Sequence, residues 1–458
     1  MTPASWQDEI IQRGELYRVG GSVRDKLLGL PDTHETDFLV RGLPPAELEA
    51  LLSRHGRVVL VGKAFGVYKF SPAGSPWTID IAYPRLETST GVGHRDFEVR
   101  WDWNLPVEDD LGRRDFTINA IAERVPEGTR FDPCGGERDL RDGVLRAIFP
   151  RAFEEDPLRI LRGARFLARF ALRVDAGTLD LMRRAAPLVD TVSPERVQDE
   201  FSKTLTQCER PAAAFELLRT TGALARLLPE LERCVGVTQN QYHPDDVYWH
   251  SLKTLDAAAP DLLVRWAALL HDTGKVDARQ VVRDEDGERV VFYGHEDVSA
   301  RLTEAVLTRL RYPHALVNAC RHLVQEHMFR YSRSWNPSTL RRFMRRVGVA
   351  HLDDLFMLRE ADCRSRALDD ELAALDDLRA RVAAELAAAA TLGVGDLDVN
   401  GDDVMHVLGI GPGPRVRAVL EELLERVTDD PALNERERLL GEIKAVGANE
   451  PGSGNGGK

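Results

Sequence analysis

The chain lacks the features that would place it in a membrane, in an oxidising compartment or among uniformly basic nucleic-acid binders. No window approaches eighteen uninterrupted apolar residues, and Met1 to Ile10 holds no basic segment followed by an apolar run, so neither a membrane span nor a targeting segment is expected. Five cysteines (Cys134, Cys208, Cys234, Cys320, Cys363) are scattered without a Cys-x-x-Cys pair, which fits free thiols in a reducing compartment, and a cytoplasmic location is expected. Positive charge is short as well: 74 acidic against 61 basic residues leave a net charge of -13. Phosphate neutralisation supplies most non-specific nucleic-acid affinity, so any RNA-binding role requires basic residues concentrated locally. There is no internal repeat.

What is present is enough for several packed units. With 458 residues, 43% of them hydrophobic, the chain is too long for one core, and two to four units are expected. Short β-type runs, Arg57 to Val61 and Trp77 to Ala82, alternate with Gly-rich and charged turns up to Ile148 and predict an α/β head over 1–148. Helical periodicity then takes over, broken at Gly177, Ser193-Pro194 and Pro211, giving a helical neck over 149–236. A helical block over 237–367 carries most of the histidines, and further helices over 368–450 precede a Gly-rich, disordered tail, 451–458. The fold class is α+β, multidomain.

In the head, Val19-Gly20-Gly21-Ser22-Val23-Arg24-Asp25 closes a β-type run and opens a helix. The glycines would let backbone amides approach a triphosphate, although a plain tight turn reads equally from this segment alone. Glu35-Thr36-Asp37 precedes Phe38-Leu39-Val40, a pattern that puts two carboxylates on one strand face, where they repel unless a cation lies between them. Nucleotidyl transfer uses such an arrangement, since paired divalent ions activate the attacking hydroxyl and neutralise leaving pyrophosphate. Asp80 in Thr78-Ile79-Asp80-Ile81-Ala82 is the candidate third acid; a solvated acidic strand edge is the bland alternative. Asp110-Leu-Gly-Arg113-Arg114-Asp115-Phe116-Thr117-Ile118-Asn119-Ala120 joins guanidinium groups suited to phosphate or ribose with a predicted helix that returns apolar residues to the core.

Taken in order, Gly20-Gly21, the acidic pair, Arg113-Arg114-Asp115-Phe-Thr-Ile-Asn-Ala and Asp132-Pro-Cys-Gly-Gly-Glu-Arg-Asp139-Leu140 resemble the class II tRNA nucleotidyltransferase and bacterial poly(A) polymerase family. The resemblance implies a nucleotidyltransferase head acting on a tRNA 3′ end with ATP and CTP as substrates. It also implies that the family's Asp-x-Asp pair, here Glu35 and Asp37, holds Mg²⁺ with Asp80 as the further catalytic carboxylate. Glu35 departs from the usual Asp and sets its carboxylate one methylene further out. Gly20, Gly21, Arg24, Arg114, Asp115 and Asn119 become candidate nucleotide-binding residues. A flexible loop between Arg85 and Gly112, which the family uses to switch from C to A, is full length here, which leaves both complete CCA addition and A-only addition open.

In the neck, Glu155-Asp156-Pro157-Leu158-Arg159 starts a helix, and Asp156 with Pro157 suits a cap and first turn. Asp156 and Arg159, three apart, also present an acceptor and a donor on one side of the helix end. Cytosine and adenine both offer an exocyclic amine beside an unprotonated ring nitrogen, so this pair would accept C and A and reject U and G. The resemblance gives the motif that template-like role. Arg159, Arg162, Arg165, Arg169 and Arg173 follow as a predicted basic stripe, with a solvated face laced with acids as the alternative. Ser193-Pro194-Glu195-Arg196-Val197-Gln198-Asp199-Glu200 resembles the family's bracing Glu-Arg-x-x-x-Glu element, and a capping box at Ser193 reads equally.

His250, His271-Asp272-Thr-Gly-Lys275, His295, His327 and Asp362 form a second series, whose imidazoles and carboxylates suit a divalent transition metal such as Mn²⁺, Ni²⁺ or Co²⁺. The order resembles the HD phosphohydrolase superfamily, including its two-metal members, and implies attack of water on phosphorus: 2′,3′-cyclic phosphodiesterase, 2′-nucleotidase or phosphatase activity on RNA 3′ ends. His243 and His322 carry no expected function. Two competing readings remain, general polyadenylation and an HD hydrolase with an inactive head. Arg341-Arg342-Phe-Met-Arg345-Arg346 is a further candidate contact with the tRNA body, against an ordinary amphipathic helix, and the region around Asn400-Gly401-Asp402 and Gly409 to Pro414 resembles the family's tRNA-holding end.

Overall fold

The structure is a computed structural model that describes residues 5–31, 36–61, 66–89, 97–239, 245–284, 287–388 and 392–448. Glu35, His243 and the 451–458 tail lie outside the described residues. The chain forms two compact units, one of Met1–Val237 with Val306–Tyr312 and one of Thr238–Ala305 with Pro313–Lys458. No helix among the described residues is long and apolar enough to cross a membrane.

The first unit is built on strands β1 (Glu15–Val19), β2 (Asp37–Arg41), β3 (Gly56–Val61), β4 (Val67–Pro72), β5 (Ile79–Ala82), β6 (Arg85–Ser89), β7 (Phe97–Trp101), β8 (Ala122–Val125) and β9 (Arg130–Phe131). Seven of them form a mixed sheet in the order β3-β4-β5-β2-β1-β8-β9, while β6 and β7 pair as a separate hairpin. Alternation sets the two faces. Phe38, Val40, Phe70 and Ile81 pack beneath the Pro45–His55 helix through Leu48, Leu51 and Leu52, and Tyr17, Val19 and Leu39 cover the other face with Leu111 and Ala120. The one parallel pairing in this sheet, β2 with β5, sets Asp37 directly beside Asp80. Where a helix is expected after Arg114, the chain makes only a 3-10 turn, Thr117–Asn119. Phe116 is extended there and bridges Ala147, so its ring and Ile118 reach the core from a turn.

The neck packs around the Leu158–Phe170 helix, which buries Ile160, Leu161, Ala164 and Phe166 along one side. Gly163 lets it come close: a Cβ there would lie 2.6 Å from the Met182 methyl and 2.8 Å from the Phe116 ring. The helix ends at Ala171, whose φ of 51° is left-handed. Arg173 therefore leaves the expected basic stripe and lies in a short strand paired with Val144. At Ser193 the expected capping box is absent: the side chain makes no cap bond, and the third helical position, Arg196, has no acid or amide to return one.

The second unit is helical apart from one hairpin, Gln280–Asp284 with Gly287–Val291. Its Leu262–Leu270 helix is buried continuously from Val264 onward and delivers His271 at its end. Pro414–Asp429 and its neighbours enclose a core of Val404, Leu423, Leu439 and Ile443. All four arginines of the Pro337–Val347 helix are engaged within the unit, so the structure offers an intramolecular use in place of the expected tRNA contact. Arg341 donates to the Thr428 carbonyl oxygen at 2.9 and 2.7 Å and to Glu385 at 2.9 Å. Arg342 meets Glu425 and Asp429, Arg345 meets Glu425, and Arg346 meets Glu326.

Arg341 is only 6% exposed. Arg341→Ala should cost about 1–3 kcal/mol in urea denaturation by leaving a buried carbonyl unpaired, whereas Arg345→Ala, on an exposed pair, should cost no more than about 1 kcal/mol.

Candidate active sites

The first site is a cavity of ≈ 1340 Å³ in the first unit, lined by residues of both head and neck. Gly20, with φ of 70°, makes the turn between β1 and the Gly21–Leu27 helix, and a Cβ on it would lie 2.7 Å from Arg114 Nη1. Asp37 and Asp80 stand side by side on the β2–β5 pair at the wall, and Lys69, opposite Asp80 on β4, donates to its carboxylate at 2.9 Å. Lys69 escaped the sequence reading because only cross-strand register reveals it. Two adjacent carboxylates facing a polar cavity could hold a hard divalent ion through oxygen.

Behind the cavity wall, Asp110 is fully buried and takes Arg113 at 3.0 Å and Arg114 at 3.1 Å. Burial alone would raise its pKa, but the two guanidinium groups bring it below the usual range. Asp115, also buried, accepts from Asn119 at 2.9 Å and Arg162 at 2.8 Å. Burial is again outweighed, chiefly by Arg162, and its pKa falls to about 2. Arg24 donates to Asn119 at 2.6 Å and to Asp25 at 2.7 Å, with its guanidinium 4.4 Å from the centre of the Phe170 ring. Most of these groups are therefore bound to one another, and they line the cavity as one hydrogen-bonded framework.

Asp156 and Arg159 reach the same cavity. Asp156 accepts from the Leu158 amide at 3.3 Å and from Arg196 at 2.8 Å, while Arg159 donates to the carbonyls of Arg113 and Ala152. Arg165 is paired with buried Glu200 at 2.7 Å. Arg196 and Glu200, from the Pro194–Gln207 helix, thus clamp the residues flanking Arg159 and Arg162.

The second site lies in the second unit, in a cavity of ≈ 830 Å³. Asp272 is its centre. Its Oδ2 is 3.3 Å from His250 Nε2 and 3.2 Å from His271 Nε2, and its Oδ1 is 3.2 Å from His295 Nε2 and 3.7 Å from His327 Nε2. His250, His271 and Asp272 form one set of three possible ligands; Asp272, His295 and His327 form another. Asp362 Oδ1 is 3.3 Å from His250, and its Oδ2 is held by Arg359 at 3.0 Å and Arg366 at 2.6 Å. Those two arginines were missed in the sequence, although they stand three before and four after Asp362 on one helix face.

Nδ1 of His271, His295 and His327 lies 2.6–2.9 Å from the carbonyls of Ala268, Phe292 and Val324 respectively. A carbonyl oxygen only accepts, so each Nδ1 carries a proton and each Nε2 is turned toward Asp272. Nε2 of His295 and of His327 is buried without a hydrogen-bond partner. Orphaned nitrogens around a buried carboxylate fit divalent metal ions, with Asp272 able to bridge two. Lys275 adds a bond to Asp272 at 2.7 Å, and although burial opposes it, His271 and Lys275 hold that carboxyl well below the usual range. His322, bonded to the Val347 carbonyl, stands apart.

Fold and sites together define a nucleotidyltransferase head on a helical neck, carried in one chain with an HD domain. The Poly A polymerase head domain matches residues 16–146, the probable RNA and SrmB-binding site of polymerase A matches 171–234, and the HD domain matches 247–384. The multifunctional CCA protein of Nitrosococcus oceani is 40% identical over 365 residues, covering 77% of this chain and 85% of the relative. That of Cupriavidus necator is 38% identical over 428 residues, covering 88% and 98%. Among solved structures, the Bacillus stearothermophilus CCA-adding enzyme in complex with CTP superposes with a TM-score of 0.69 at 23% identity, covering 97% of this chain and 96% of that one, which shows a shared fold. The chain belongs to the multifunctional CCA protein family.

Removal of divalent ions by chelation should lower the unfolding temperature of the second unit by several degrees, with recovery on adding Mn²⁺. His295→Ala and His327→Ala should each reduce bound Mn²⁺, read by equilibrium dialysis, by about one equivalent; unchanged stoichiometry would remove the second ion from the account.

Proposed function

We propose that the protein adds CCA, or its terminal A, to tRNA 3′ ends without a nucleic-acid template. In this reading Glu35 and Asp37, with Asp80 as the further carboxylate, would hold Mg²⁺, and the ion would supply activation of the 3′ hydroxyl and neutralisation of pyrophosphate. The 3′ oxygen attacks the α-phosphorus of CTP or ATP, the bond to the β-phosphate breaks, and the hydroxyl proton leaves to a carboxylate or water. Gly20, Gly21 and the Arg114–Asp115–Asn119 framework seat triphosphate and sugar. Asp156 accepts from the exocyclic amine of C or A, and Arg159 donates to the ring nitrogen beside it. The observation that carries this reading is that the adjacent carboxylates Asp37 and Asp80 line the same cavity as Asp156 and Arg159. Chemistry and base selection then share one volume.

The HD domain, in the same reading, hydrolyses phosphate at RNA 3′ ends. His250, His271, Asp272 and Asp362 would hold one divalent ion, and His295 and His327, with Asp272, would hold a second. With a 2′,3′-cyclic phosphate, water adds its oxygen to phosphorus, one P–O(ribose) bond breaks, and the proton passes to the freed ribose oxygen, leaving a monoester.

Purified protein with Mg²⁺ and tRNA transcripts ending before CCA, after C or after CC should extend all three with CTP and ATP together. Extension of only the CC-ended transcript by ATP would make it an A-adding enzyme. Extension of none, with cyclic phosphate still hydrolysed, would leave the HD domain as the whole activity. Asp80→Asn should lower addition at least about 100-fold and leave HD hydrolysis unchanged, and His271→Ala should do the reverse. Arg159→Ala should relax the preference for C and A over U and G by about 1–3 kcal/mol, measured as the ratio of kcat/KM values.

A further inference from the structure

The HD cavity is larger than a phosphoryl group and two ions require, and its outer wall is not made of ligands. Tyr293 is 67% exposed, the highest value for a large hydrophobic side chain among the described residues, and Met328 is 42% exposed; both line the cavity. Their backbone adjoins the histidine cluster. Tyr293 directly follows Phe292, whose carbonyl holds His295 Nδ1, and Met328 directly follows His327.

The cavity's cations differ in their partners. Lys275 is bound to Asp272 and Gln239, and Arg359 and Arg366 are bound to Asp362. Arg330 lines the cavity, is exposed, and pairs with no carboxylate among the described residues. It also lines a second cavity, of ≈ 920 Å³, which shares Glu296, Met328 and Phe329 with the first and carries Trp335 further along. The Trp335 ring is held by Tyr331 at 5.3 Å and Phe343 at 5.5 Å. Of the acids lining that second cavity, Glu326 takes Arg346 at 2.9 Å, Asp297 accepts from the neutral Gln325 at 3.1 Å, and Glu296 lies 3.4 Å from His295 Nδ1. A guanidinium with no carboxylate partner among the described residues thus marks the junction of two aromatic-walled cavities, one of which ends at the histidine–aspartate cluster.

We propose that this junction is a subsite for the nucleotide on the 5′ side of the reacting one, so that the HD centre takes the end of an RNA chain in preference to a free nucleotide. The inference rests on the phosphohydrolase reading above. Arg330 contacts the phosphodiester between the last two nucleotides, since a guanidinium without a carboxylate partner suits a phosphate. Tyr293 and Met328 cover the terminal base, and Trp335 offers a face to the preceding one, where stacking is tolerant of base identity.

The test uses the full-length protein with Mn²⁺ and compares kcat/KM for adenosine 2′,3′-cyclic phosphate with that for a trinucleotide ending in the same cyclic phosphate. The trinucleotide should be favoured by about 10-fold or more. Arg330→Ala and Trp335→Ala should bring its kcat/KM down to the mononucleotide value without changing the latter, and Arg330→Lys should retain part of the preference. Equal values in the parent protein, or an Arg330→Ala loss that is the same on both substrates, would overturn the subsite alone. Hydrolysis of neither by the metal-loaded protein would overturn the phosphohydrolase reading and the subsite with it.

Discussion

The carboxylate of Asp115 ties the first unit together. It sits in the bend just before the Thr117–Asn119 turn, buried, and receives three donors: the Phe116 amide at 2.8 Å, Asn119, and Arg162 from the neck. Asn119 passes the connection to Arg24, and Arg24 to Asp25, so one acid links the glycine turn after β1, the 3-10 turn and the Leu158–Phe170 helix. A buried ion pair of this kind contributes little net stability compared with apolar packing, yet losing one partner strands the other charge. Its worth is positional: the helix that carries Arg159 is held at one setting against the carboxylates of β2 and β5.

Asp272 does the corresponding work in the second unit by a different route. Four imidazoles converge on its two oxygens, and three of those rings are aimed by carbonyls three residues upstream in the chain. Such an aim is set by local helix geometry rather than by long-range pairing. The site's directional information thus sits close to each ligand in sequence.

That difference explains what was legible before the fold was known. The histidine series could be read in order because each ligand is oriented by its own neighbourhood, and the Gly20-Gly21 turn because a left-handed residue beside Arg114 leaves no alternative to glycine. Lys69 and the Asp37–Asp80 adjacency depend on which strands pair, which no local pattern encodes. The expected helix after Arg114 failed for a related reason: Phe116 bridges Ala147, thirty-one residues on, and a long-range bridge overrode local propensity. Arg173 missed its stripe by three residues, since the helix stops at Ala171 with the chain turning left-handed. The pairing of Arg341 and Arg342 in the Pro337–Val347 helix with Thr428, Glu425 and Asp429 likewise spans more than eighty residues and has no local signal.

The same pairing reconciles a net charge of -13 with an anionic substrate. Arg113, Arg114, Arg162 and Arg165 already hold Asp110, Asp115 or Glu200, and their desolvation is met by those acids before any nucleotide arrives. A triphosphate entering the cavity therefore meets arginines whose positions are fixed and whose charge is partly neutralised, which favours geometric fit over bulk attraction. Arg159 differs: it donates only to carbonyl oxygens and pairs with no carboxylate among the described residues. The guanidinium without a carboxylate bond in the first cavity is the one proposed to read the base, and its counterpart in the second, Arg330, is the one proposed to meet a phosphodiester. In both units acids pair with most of the cavity arginines, and Arg159 and Arg330 stand without a carboxylate partner among the described residues. An acidic chain can bind a polyanion selectively by that means, because free positive charge is placed rather than spread.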